Sequence, residues 1–280
     1  MIRNSAALTD LSSLAGLFAA ADHSLSFALQ DAPALTSPAG LGTASKGSYE
    51  LADLPLLTDL QPLSQVKTLD ALSLRNIPLT SLAGLGSLQS VNLSIQDMPL
   101  LTSLTGLGPL ATGHVRFQTL PVLGSLKGLD KFATGTVSFI DLPLVTSLAP
   151  LVGLVDAGSL VLQGMPLVTS LAGLDNLETA FTVSIGDCIN EGTSGMDGLT
   201  SLTGLGSLTS TGEFMVTNSK KLTSLAGVGA LAVVSERLAI INNPKLPKAA
   251  FDALLVQVDE PAMTCFGDWG VCDCIEIMPP

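Results

Sequence analysis

Along most of the chain the apolar positions follow one phrase that keeps returning. It opens with two apolar residues separated by a single position, as in Leu93/Ile95 and Val137/Phe139. The same pairing recurs at Phe27/Leu29, Tyr49/Leu51, Leu72/Leu74, Val115/Phe117, Leu160/Leu162, Val183/Ile185, Phe214/Val216 and Leu238/Ile240. Alternation by two, with many β-branched and aromatic members, predicts a short strand with one buried face. Two positions after each pair stands a short polar residue or glycine: Asp31, Asp53, Asn76, Asp97, Thr119, Asp141, Gly164, Asp187, Asn218 and Asn242. Such residues bond to nearby backbone and tolerate a tight corner, so the column predicts where each strand ends. Proline follows two residues later at Pro33, Pro55, Pro78, Pro99, Pro121, Pro143, Pro166 and Pro244.

The phrase closes with a word close to Leu-Thr-Ser-Leu-x-Gly-Leu, whose opening residue falls at Leu8, Leu35, Leu57, Leu79, Leu101, Leu123, Val145, Val168, Leu199, Leu222 and Leu246. From Leu35 to Val145 every step is 22 residues, a period in the range of leucine-rich and related solenoid repeats. The leucines of this word point inward and the glycine permits the next turn. Each coil therefore contributes one short strand to a parallel sheet. A single coil cannot bury its apolar face alone. About ten of them, stacked at about 4.8 Å per layer, make a continuous core on the order of 50 Å long.

Composition agrees with many small similar layers: 47% of residues are apolar but only 4% aromatic, which leaves Leu, Val and Ala to fill the interior. Twenty-four acidic against twelve basic residues give a formal charge of -12. A nucleic-acid partner is not expected, because there is no basic stripe to release counterions. No uncharged apolar run reaches the roughly 18 residues that would cross a bilayer, and the start, MIRNSAALTD, lacks the apolar core of a signal peptide. Any targeting segment is therefore expected to be absent or removed. The repeat begins almost at once, at Leu8, without a polar cap, so a longer natural chain trimmed at this end is expected.

The composite word apolar-x-apolar-x-[ND]-x-P-x-L-[TS]-S-L-x-G-L is clearest in LAIINNPKL and LSIQDMPLLTSLTGL. It resembles the receptor L-domain family, leucine-rich-repeat-like β-solenoids of receptor ectodomains, and the related repeats of cell-surface proteins of fungi and bacteria. The resemblance covers about Leu8 to Leu255. It implies an all-β, right-handed parallel β-solenoid, secreted or displayed on a cell surface, that binds protein or other ligands without chemistry. On this reading residues 1–280 are one solenoid domain, with coils over 1–245 and a C-terminal cap over 246–280.

At the C-terminal end, Phe251, Leu254, Leu255 and Val258 follow helical spacing and predict a short amphipathic helix covering the last coil. Four cysteines, Cys188, Cys265, Cys272 and Cys274, allow three pairings. The spacing C-x6-C-x-C matches no common zinc pattern, so a structural disulfide and an oxidising compartment are expected instead. The longest insertion, Asp187 to Gly198, reads as a surface loop, since its acidic residues do not form an EF-hand-like ladder. His23 and His114 sit in no nucleophile or metal motif, and the glycines recur with the repeat rather than as a phosphate loop. No catalytic residue, metal or cofactor is expected. Asn92 begins an Asn-Leu-Ser glycosylation pattern beside a predicted strand.

The outward strand positions carry the candidate binding surface: Ser73, Arg75, Ser94, Gln96, Arg116, Gln118 and Gln163, with Ser138, Ser184 and Thr217 beside them. A flat, polar face short in charge suits broad hydrogen-bonded contact with a protein or a glycan. A second array is the threonine column, Thr36, Thr58, Thr80, Thr102, Thr146, Thr169, Thr200 and Thr223. Regular threonines on a solenoid wall resemble ice-binding surfaces, although turn hydrogen bonding alone also selects Thr and Ser there. The expected function is non-catalytic recognition or adhesion. An ice- or surface-binding protein and a structural spacer are the alternatives.

Overall fold

A computed structural model describes residues 1–23, 25–186, 195–259, 261 and 263–267. The chain forms two compact units, Met1–Phe132 and Ala133–Pro280. The first holds six strands: β1 (Ile2–Arg3), β2 (Ser26–Gln30), β3 (Ser48–Ala52), β4 (Thr68–Arg75), β5 (Ser90–Gln96) and β6 (Thr112–Gln118). All pair in parallel and in chain order. Leu29, Leu51, Leu74, Ile95 and Phe117 lie in one register row, so each coil repeats the last one a layer further on. These five side chains are fully buried, as are the word-opening Leu35, Leu57, Leu101 and Leu123.

Local chemistry explains why the coil turns where it does. Asn4, Asp31, Asp53, Asn76, Asp97 and Thr119 all hold φ between 51° and 56°, the left-handed conformation that Asn and Asp adopt most readily after glycine. The predicted polar column is thus a backbone requirement. In the second unit Asp141, Gly164, Gly186, Asn218 and Asn242 hold positive φ as well; Asp187, the expected member there, lies outside the described residues.

The Thr-Ser pair of the closing word has two separate duties. The Thr102 hydroxyl donates to Thr80 O at 3.1 Å, and Thr36, Thr200 and Thr223 reach the preceding coil in the same way. The following residue accepts from the amide two positions on, as Ser147 Oγ does from Ala149 at 3.1 Å and Asp59 Oδ1 from Gln61 at 2.7 Å. The glycine of the word is then forced: at Gly84 φ is +104°, and a Cβ would lie 2.1 Å from Leu60 O of the preceding coil.

The start of the first unit differs from expectation. β1 precedes Leu8 and pairs with β2, and the short helix α1 (Ala15–Ala19) buries Phe18 edge-on against Phe27 and Tyr49, with centroids 5.0 and 5.7 Å away. Ile2–Arg3 is too short for alternation to reveal.

The second unit contains β7 (Thr134–Ile140), β8 (Asp156–Gln163), β9 (Thr179–Ile185), β10 (Ser210–Thr217), β11 (Val233–Ile241) and β12 (Met263–Gly267), again parallel and in chain order. The helix α2 (Lys248–Gln257) lies where the apolar spacing puts it, with Phe251 and Leu254 buried and Val258 buried just beyond its end. Phe251 stacks on Phe266 of β12 at 4.7 Å, and Gln257 Nε2 donates to Val228 O and Leu231 O. Strand β12 was not expected from the sequence, because Thr264 stands where the other strands begin their apolar pair and no proline follows at the marking distance. Cys265 on β12 is buried and is not a free thiol; Cys188, Cys272 and Cys274 lie outside the described residues. Most of the insertion, 187–194, lies outside them too.

Candidate functional site

Outward positions alternate with the buried pairs, and register turns them into rows. In the first unit one row runs Gln30, Ala52, Arg75, Gln96 and Gln118. The next runs Ala28, Glu50, Ser73, Ser94 and Arg116. Six of the seven predicted binding residues therefore meet on β4–β6. Gln163 belongs to the second unit, where it pairs in register with Ile140.

Five of the six, all but Ser73, are held by short contacts. Gln96 Nε2 donates to Ser94 Oγ at 2.8 Å, and Arg116 Nη2 donates to Gln118 Oε1 at 2.7 Å. Arg75 Nη2 donates to Asp53 Oδ2 at 3.0 Å, where Gln30 Nε2 also donates at 3.1 Å. Asn76 Nδ2 donates to the other oxygen, Oδ1, at 2.8 Å. The Asn76 hydrogen bond, helped by Gln30 and Arg75, holds the Asp53 carboxyl below its ordinary value. Gln30, Glu50 and Asp53 were missed as site members. The signal for Gln30 and Glu50 was register with Arg75 and Ser73, and for Asp53 its corner position beside Asn76, readable only once successive coils are aligned at the corner column.

A third row joins Ser26, Ser48, Ala71, Asn92 and His114. Asn92 thus lies within β5 with an exposed side chain, and His114 is exposed beside it. His23 pairs with Asp70 across 2.7 Å, and Gly47 N donates to the same carboxylate at 2.9 Å. The His23 hydrogen bond keeps the Asp70 carboxyl below its ordinary value. Among the described residues no group of three or more His, Cys, Asp or Glu is placed to hold a metal.

The outward face of the second unit has another character. Val161, Ser184, Met215, Ala239 and Cys265 occupy one row, and Ala239, Ile241 and Cys265 form a buried cluster with Met215 and Met263 packed against it. Ser184 and Thr217, expected as exposed polar positions, are buried, Thr217 to 2% exposure. Alternation gives the direction of a side chain but not what lies over it. Ser138 stays half-buried. The flat polar array is therefore a property of β4–β6.

The threonine column is exposed at every member from Thr36 to Thr223, including Thr58, Thr80, Thr102, Thr146 and Thr169. At Thr36, Thr102, Thr200 and Thr223 the hydroxyl proton is already donated to the preceding coil. A turn ladder accounts for the residue type there without a ligand.

Among the described residues, no helix is long and apolar enough to cross a membrane. Comparison with known proteins finds no family model and no curated protein that matches the chain.

Proposed function

We propose that the chain is a recognition or adhesion module, acting without catalysis outside the cell or at its surface, and that it binds a protein or glycan through the outward face of β4–β6. The architecture in this reading is a right-handed β-solenoid of the leucine-rich-repeat/L-domain type, with coils of about 22 residues and α2 as its cap. A disulfide from Cys265 to another of the four cysteines belongs to the same reading, and fits an oxidising compartment. The observation that carries it is the ordered polar array: Arg75, Gln96, Arg116 and Gln118 each sit in register on rigid strands, and all but Arg116 are half-buried. Gln96, Arg116 and Gln118 are further tied to one another or to Ser94. Side chains already held in place lose little entropy on binding, which favours contact over a broad flat face.

The test is binding of the purified chain to an array of glycans and cell-surface ectodomains, with thermal hysteresis measured alongside. A specific hit supports recognition. Thermal hysteresis without a hit moves the function to the threonine column, and neither result leaves a structural spacer.

A further inference from the structure

The first unit carries a second surface that owes nothing to the sheet face. After the corner residue of most coils comes a proline two positions on, and in several of them the next residue is apolar and open to solvent: Leu56 is 53% exposed, Leu100 50% and Val122 37%. The repeat does not demand an apolar side chain there. Lys221 and Lys245 occupy the equivalent position in later coils and are exposed as well. Repeated exposed leucine beside proline is therefore a surface that packing does not explain. A groove of about 550 Å³ is lined by Pro33, Pro55, Pro78 and Pro99 and by the corner residues Asp31, Asp53 and Asn76; Leu56 and Leu100 directly follow two of these prolines in the chain.

We propose that this groove is a docking site for an extended cationic-apolar segment of a partner protein. Length fits: the lining spans four coils from Pro33 to Pro99, three steps at about 4.8 Å, which is room for four or five residues of extended chain at about 3.3 Å each. Charge fits as well. The lining holds two carboxylates and no lysine or arginine. Asp53 is engaged by Arg75, while Asp31 is exposed and the next corner, Asp97, is an exposed carboxylate too. A second copy of the chain would bring the same carboxylates and a net charge of -12 against this edge, so the occupant is not the protein itself. Methylene stems of Lys or Arg and apolar side chains lie on pyrrolidine rings and leucines, and their charged ends reach the corner carboxylates.

The probe is a fluorescein-labelled twelve-residue peptide of alternating Lys and Leu, titrated into the full chain by anisotropy at physiological salt, beside peptides of alternating Glu and Leu and of alternating Lys and Ser. Saturable binding of the Lys-Leu peptide, at least tenfold tighter than either comparator, is expected. Leu56→Lys/Leu100→Lys should weaken it at least tenfold, and Asp31→Asn about threefold. Both substitutions place residues that the repeat already carries at equivalent positions, and melting curves verify the fold. Gln96→Glu/Gln118→Glu on the sheet face should leave the peptide affinity unchanged. The proposal is overturned by absence of binding, by equal binding of either comparator, by an unaffected Leu56→Lys/Leu100→Lys variant, or by loss of binding in the sheet-face variant. A failed array screen would leave this result untouched, because the two surfaces are probed by separate variants.

Discussion

At Thr119 a β-branched residue occupies the corner conformation, with φ of 53°, that Asp, Asn or Gly fills in the other coils. Left-handed backbone costs an ordinary L-residue roughly 1–2 kcal/mol, and Asn relieves much of that through its own local hydrogen bonds. Thr119→Asn is therefore expected to stabilise the protein by about 1 kcal/mol, read as a higher midpoint in urea denaturation. No change or a loss would mean that the Thr119 methyl group contributes packing of its own. Asp53 gives the opposite case. Its carboxyl titrates below the ordinary range because Asn76, Gln30 and Arg75 favour the charged form. The folded state then binds fewer protons than the unfolded one, so the stabilisation is complete above the unfolded pKa and is lost as pH falls through the lower folded value. Asp53→Asn should cost roughly 1 kcal/mol at pH 7 and progressively less below about pH 4, which melting at a series of pH values measures.

At the scale of elements, the strand, the corner and the closing word are each short, and each is fixed by stacking on a neighbour. Helix α2 is the test case, because it is joined to the strands by a few large contacts. Phe251 is buried and stacked on Phe266, whereas Val256 on the same helix is 88% exposed. Phe251→Ala should cost about 3–5 kcal/mol and speed amide exchange in β11 and β12 first, while Val256→Ser should be nearly neutral. Equal effects of the two would mean that α2 does not protect the end of the stack. The strands and α2 were legible because alternation and helical spacing follow directly from side-chain geometry, and the corner column because left-handed backbone selects Asp and Asn. β1 and β12 were not, since Ile2–Arg3 is shorter than one period, and Met263–Gly267 has Thr264 in place of the first apolar member of the pair and no proline after it. All seven surface residues, Gln163 included, were legible as outward strand positions, but the division of the chain into two units was not. Burial of Ser184 and Thr217 was not, because it depends on contacts from outside their own strands.

Across the whole molecule, repetition has one consequence that no single coil shows: identical positions become rows. A row of leucines makes a core, a row of corner residues makes an edge, and a row of outward amides and guanidiniums makes a surface with fixed spacing. Function in this account lies in the third kind of row, on β4–β6, where Gln96 and Gln118 are neighbours in register and half-buried. The measurement that tests this most directly is the affinity of Gln96→Glu/Gln118→Glu for the ligand identified on the array, compared with the unsubstituted chain. Two added carboxylates exchange amide donors for acceptors at the middle of the contact, and the account predicts at least tenfold weaker binding with an unchanged melting temperature. An unchanged affinity would place the ligand elsewhere on the molecule and contradict the account.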